Sequence, residues 1–195
     1  MKKIIFLDVD GVLNNETFKS NWMREHEGLD RTYLEIRFDH LFIKPTEMGF
    51  CNGYIVPENL KNFNHIIDAT NADIVLSSDW RFINDGYYNK VADINTIKLL
   101  FEVRGIKGNV IGATPYIFNH PRDIEILRYI NTNKIQDAKI VVIDDLFEAG
   151  NAITDIPNSK FVWTDYETGL TKKEAKEIID WFNIYNIAHI FKKSS

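Results

Sequence analysis

Ile4-Ile5-Phe6-Leu7 has the length of a buried strand and runs directly into Asp8-Val9-Asp10-Gly11. Two carboxylates at the tip of a core strand are costly, because burial disfavours each charge and neighbouring charges repel. Glycine then lets the chain turn. Such a pair is tolerated as an ordinary polar turn, where Asp and Gly are common, or because a divalent cation and a phosphorylated ligand neutralise it. Taken alone, the motif leaves both readings open.

The rest of the chain repeats the pattern. Pro57 to Ala69 has helical spacing, with Leu60, Phe63, Ile66 and Ile67 on one face and Pro57 near its start. Ala72 to Ser78 reads as a second buried strand, Ala92 to Val103 as a helix ended by Gly105, and Asn109 to Gly112 as a short extended piece. The spacing predicts a helix over Pro121 to Ile130, with Ile124, Leu127 and Tyr129 or Ile130 facing in. Lys139 to Asp145 is a further buried strand ending in acids, Lys160 to Thr164 another, and Thr171 caps a last helix to about Tyr185. Strands alternating with helices imply an α/β, Rossmann-like fold with a largely parallel sheet. Ligands in such folds sit beyond the carboxyl ends of the strands. Asp8 and Asp10, Ser77 and Ser78, and Asp144 and Asp145 all lie at that end, so three strands each deliver a part of one site.

Composition narrows the partners. A net charge of −5 argues against a broadly basic surface for nucleic acid or membrane. One cysteine, Cys51, cannot form an internal disulfide, which suits a reducing compartment. The start Met1-Lys2-Lys3-Ile4 mimics a signal peptide, but Asp8 and Asp10 end the apolar run too early, and no later run spans a bilayer. The expectation is a cytoplasmic protein without an obligate protein partner, folded as one domain over residues 1–195.

These motifs, in order, resemble the haloacid dehalogenase (HAD) superfamily. The first is Asp8-Val9-Asp10-Gly11-Val12, the second Ser77 after Ile74-Val75-Leu76, the third a basic residue opening a helix (Arg122), and the fourth Asp144-Asp145. Within it, Leu76-Ser77-Ser78-Asp79-Trp80-Arg81, Gly112-Ala113-Thr114-Pro115 and Thr168-Gly169-Leu170-Thr171 resemble a bacterial and phage branch linked to RNA-repair multidomain proteins. The resemblance implies a HAD-type phosphoric monoester hydrolase. Asp8 would be the nucleophile that forms an aspartyl-phosphate. Mg²⁺ would be held by Asp8, the backbone carbonyl of Asp10 and one acid of the later pair, with Asp145 favoured. Asp144 is the alternate ligand, or orients Arg122 or a metal-bound water. Asp10 would protonate the leaving oxygen and then activate water. Aspartate at that position goes with phosphatases and phosphotransferases rather than dehalogenases. Ser77 would bind a phosphoryl oxygen, with Ser78 as alternate, and Arg122 would set a fixed positive charge against it. Lys134 and Lys139 are weaker candidates for that basic role.

Trp80 and Arg81 either contact substrate or begin a helix packed on the sheet; both readings stay open. His26, His40, His65, His120 and His189 lack metal-ligand spacing, and Cys51 has no activating pattern around it. Ile178, Ile179, Trp181 and Phe182 read as core. Residues from about 14 to 54 are too many for a simple connection and are expected to form a flap or small cap. Trp22, Arg24, Arg31, Tyr33, Arg37 and His40 there suit base stacking and phosphate contacts, or equally a small aromatic-packed cap. The expected substrate is a phosphorylated small molecule, a nucleotide or a nucleic-acid end. The alternative is a sequestering protein that binds nucleotide or phosphate without turning it over.

Overall fold

The computed structural model describes residues 1–26, 28, 54–84 and 89–192, with backbone alone for 83, 84, 89, 90 and 185–192. Five parallel strands form one sheet: β1 (Lys3–Leu7), β2 (Asp73–Leu76), β5 (Asn109–Ala113), β6 (Lys139–Asp144) and β7 (Ser159–Trp163). Their spatial order is β5-β2-β1-β6-β7, which puts the first strand in the centre. Two short strands, β3 (Phe82–Asn84) and β4 (Asn89–Val91), pair antiparallel beside the sheet. The helices are α1 (Glu16–Glu25), α2 (Pro57–Thr70), α3 (Ile94–Arg104), α4 (Arg122–Asn133) and α5 (Lys172–Lys192). The α/β, Rossmann-like expectation therefore holds. Most of the expected insert at about 14–54 lies outside the described residues.

The central strands alternate between two cores, as the period of two along a strand requires. Ile5, Leu7, Ile74, Leu76, Val141 and Ile143 face Phe63, Ile66, Ile97, Phe101, Ile178 and Phe182, so α2, α3 and α5 cover one side. Ile4, Phe6, Val75, Ile140 and Val142 face Ile126 and Ile130 of α4, with Ala149 and Ile153 from a 3₁₀ turn. Each fully buried side chain of this kind contributes about 1.5–3 kcal/mol of transfer free energy. Both sides being covered explains why the strands read as continuous apolar runs.

Local signals set the helix ends. Pro57 opens α2, where its fixed φ suits a helix start. Asp93 caps α3 by accepting from the backbone N–H groups of Asn95 and Thr96, and Gly105 ends it at φ 72°.

The face of α4 differs from expectation. Glu125, Ile126 and Ile130 are its buried residues, whereas Leu127 is exposed. Apolar residues on both sides of this helix leave its periodicity ambiguous, and a buried ion pair to Arg81 fixes the rotation.

Register brings the polar tips to one level. Leu7 pairs with Leu76 on one side and Ile143 on the other, and Leu76 pairs with Ala113. The next residues, Thr114, Ser77, Asp8 and Asp144, therefore stand in a row across the carboxyl edge, with Thr164 at the end of β7. Among the described residues, no helix is long and apolar enough to cross a membrane.

Candidate active site

Asp8 stands at the centre of that row and is nearly fully buried. Its backbone N–H donates to Ile143 O at 3.0 Å, which anchors the strand tip, and Val9 N donates to Asp8 Oδ1 at 2.8 Å. Arg122, the first residue of α4, places Nη1 3.6 Å from Asp8 Oδ1. That distance pairs the charges but is too long for a hydrogen bond. Nη1 is itself buried without a hydrogen-bond partner, and so is the hydroxyl of Ser77 on the adjacent strand. Native proteins rarely leave buried donors unpaired, so these atoms match an oxygen-rich ligand beside Asp8. Ser78 lies next to Asp8 as well and favours its charged form, while its hydroxyl accepts from Trp80 N at 3.4 Å.

On the other side, Asp8, Asp144 and Asp145 bring carboxylate oxygens within 4.8 Å of one another. Asp144 is 0 % exposed, and its Oδ1 accepts from Leu146 N at 2.8 Å while Oδ2 has no partner. Burial first, and Asp144 second, raise the Asp8 carboxyl well above its ordinary value, with Arg122 opposing. Burial likewise pushes Asp144 up to about 6 against the pull of Arg122. Asp145 is raised by burial and by Asp10. Burial would lower Arg122, but Asp8 and Asp144 together hold it above its usual range. Three mutually repelling carboxylates around one unpartnered oxygen are the donor set of a hard divalent cation. The residues present fit Mg²⁺.

A family model described as the HAD domain in Swiss Army Knife RNA repair proteins matches residues 4–175. The chain belongs to this HAD family. No curated protein and no solved structure matches it.

The HAD domain gathers Asp8, Ser77, Ser78, Arg122, Asp144 and Asp145 at one place. Asp10 turns outward to an exposed position, and its carboxylate accepts from Trp80 Nε1 and Asn14 Nδ2 rather than joining the acid cluster. Arg81 and Trp80, open between substrate contact and packing on the sheet, are both enclosed. Arg81 is 1 % exposed, with Nη1 on Ser78 O at 2.9 Å and Nη2 on Glu125 Oε2 at 2.7 Å. A guanidinium enclosed in this way braces the Ser78 loop against α4 and presents no open face. Trp80 is 2 % exposed, and its indole N–H is directed to Asp10. Lys134 caps the far end of α4, and Lys139 lies at the start of its strand bonding Trp181 O and Phe182 O, so neither approaches Asp8. His40 and Cys51 fall outside the described residues.

Sequence reasoning missed Asn14, Glu125, Thr114 and Thr164. Asn14 Oδ1 accepts from Gly11 N at 2.9 Å while its amide reaches Asp10, so one side chain ties the loop to the carboxylate. The only available signal was an Asn pair just before a helix, which reads first as a cap, the role Asn15 fills. Thr114 and Thr164 are buried with unpartnered hydroxyls at the tips of β5 and β7.

Gly11 holds φ +68°, and a Cβ there would lie 2.5 Å from Asp145 Cγ. Gly11→Ala is therefore expected to cost about 1–2 kcal/mol from backbone strain alone and to displace Asp145. Denaturant unfolding measures the first effect. Weakened Mg²⁺ binding by calorimetry measures the second.

Proposed function

We propose that this HAD domain is a Mg²⁺-dependent phosphatase that hydrolyses a phosphomonoester through an aspartyl-phosphate on Asp8. The observation that carries the reading is the set of unpartnered buried donors, Ser77 Oγ and Arg122 Nη1, beside a buried carboxylate. A phosphoryl group supplies the missing acceptors, and its charge offsets the arginine.

In the first step an Asp8 oxygen attacks phosphorus while the bond to the leaving oxygen breaks. Asp10, in its protonated form, gives that oxygen its proton. Ser77 and Arg122 hold the phosphoryl oxygens in line with the attack. In the second step Asp10 takes a proton from water, whose oxygen attacks phosphorus. The bond to Asp8 breaks, releasing inorganic phosphate and restoring both side chains. Asp8, Asp144 and Asp145, with the Asp10 carbonyl, would hold Mg²⁺, which supplies charge neutralisation for the phosphoryl group when bound.

The favoured substrates are nucleotides and nucleic-acid ends. The family's RNA-repair setting supports this, as do two aromatics at the mouth of the site. Trp163 is 53 % exposed, with its indole N–H fixed on Asp145 O at 2.8 Å, and Tyr166 is 51 % exposed within electrostatic reach of Asp10 and Asp145. Exposed rings beside a polar site suit base stacking, worth about 1–3 kcal/mol per base. Trp163→Ala is expected to raise KM for a phosphorylated oligonucleotide by roughly tenfold and to change KM for glycerol phosphate far less.

Release of phosphate from an aryl phosphate and from a nucleotide panel, with and without Mg²⁺, tests the reading. Metal-dependent turnover supports it. Tight nucleotide binding without product would instead identify a sequestering protein.

A further inference from the structure

Asp10 is exposed, yet its carboxylate is the most deliberately held acid in the site. Trp80 Nε1 donates to Oδ1 at 3.0 Å and to Oδ2 at 3.1 Å, and Asn14 Nδ2 donates to Oδ1 at 2.7 Å. Trp80 comes from the 3₁₀ turn after β2, 70 residues away, and is buried in the core cluster that also holds Val9, Val12 and Leu13. The turn itself is clamped: Arg81 N and Arg81 Nη1 both donate to Ser78 O, and Arg81 Nη2 is tied to Glu125. The guanidinium of Arg104 lies 5.3 Å from the indole centroid, against the ring. A rigid core residue therefore fixes the rotation of an exposed carboxylate.

We infer that Trp80 is a positioning residue that turns Asp10 so that Oδ2 carries the proton to the leaving oxygen. Indole N–H donates and cannot accept, so it never competes for that proton. Oδ1 takes two donors, including the shorter contact, whereas Oδ2 takes only the 3.1 Å branch of a shared bond and keeps the freer lone pair. Without the N–H the carboxyl could rotate about its Cβ–Cγ bond and lose its aim at the leaving group. The inference rests on the phosphatase reading, and it extends that reading by assigning to Trp80 a task other than substrate contact.

Trp80→Phe keeps the ring and removes the donor. The informative quantity is kcat/KM, which reports steps through phosphoryl transfer to Asp8, measured on two esters. A nitrophenyl phosphate leaves without needing a proton, whereas an alkyl phosphate such as glycerol phosphate does need one. The expected result is a loss of roughly 10- to 100-fold on the alkyl ester and a change within about threefold on the nitrophenyl ester. In an Asp10→Ala background, Trp80→Phe is expected to cost nothing further on either ester.

An equal loss on both esters, no loss on the alkyl ester, or an undiminished loss in the Asp10→Ala background would overturn the inference. Should Trp80→Phe fail to fold, the indole N–H proton resonances of the four tryptophans supply the test. One of them, Trp80, is expected to move upfield on Asp10→Ala, and four unmoved resonances would overturn the contact. A wild-type protein that hydrolyses neither ester removes the phosphatase reading and this inference with it. Wild-type turnover with an unselective Trp80→Phe removes this inference alone.

Discussion

Asp8→Asn is expected to lower phosphomonoester hydrolysis by roughly 10⁴-fold or more while leaving the fold intact and the metal-free protein more heat-stable. The amide matches the carboxylate in size but cannot attack phosphorus, so the first covalent step is lost rather than slowed by poor binding. The stability gain follows from the burial of the carboxyl. Asp8 is nearly fully buried beside Asp144, and these effects raise its carboxyl well above the ordinary range despite Arg122. A neutral side chain removes both penalties. Each 1 kcal/mol gained raises the midpoint of a chain this size by roughly 2–4 °C. An inactive variant whose midpoint falls instead would mean that Asp8 is a structural anchor for Arg122.

Removing divalent cation is expected to abolish turnover and to reverse the usual pH dependence of stability. Three carboxylates within 4.8 Å repel one another unless a cation or protons intervene. Asp144 titrates near 6 in the folded protein against 3.8 as a free side chain. The folded state thus holds an extra proton between those values, and stability falls as pH rises through that window. The loss from Asp144 levels off only once its folded-state carboxyl is fully ionised, above about pH 6. Asp8 and Asp145 are shifted in the same direction and add to the trend.

Chelated protein is therefore expected to melt at a higher temperature at pH 5 than at pH 7.5. Mg²⁺ at a hundred times its dissociation constant would restore about 2.7 kcal/mol at the higher pH. Thermal melts at the two pH values, with and without Mg²⁺, measure both effects. A chelated protein that is no less stable at pH 7.5 than at pH 5 would contradict the electrostatic account of the acid cluster.

The sheet and the polar tips of its strands were legible because each motif is local. Ile4–Leu7 before Asp8, Ile74–Leu76 before Ser77 and Ile140–Ile143 before Asp144 are short apolar runs that stop at a polar residue, and parallel pairing brings the stops to one level. Arg122 was legible as the start of a helix after Pro121. What stayed hidden depends on partners distant in sequence. Glu125 is buried against Arg81, 44 residues earlier, and also accepts from Ile117 N, and nothing in the spacing of α4 reports that. Trp80 could not be separated from a substrate contact because its hydrogen-bond partner, Asp10, lies 70 positions away. The strands Phe82–Asn84 and Asn89–Val91 are three residues each, too short for any periodicity to register.

The central claim is that Asp8 becomes phosphorylated. Borohydride reduction of protein quenched during turnover converts an aspartyl-phosphate to homoserine, which peptide mass spectrometry locates. The account predicts homoserine at position 8, dependent on substrate and Mg²⁺ and absent from Asp8→Asn. Phosphate release by the wild type with position 8 unmodified, or retained turnover in Asp8→Asn, would contradict it.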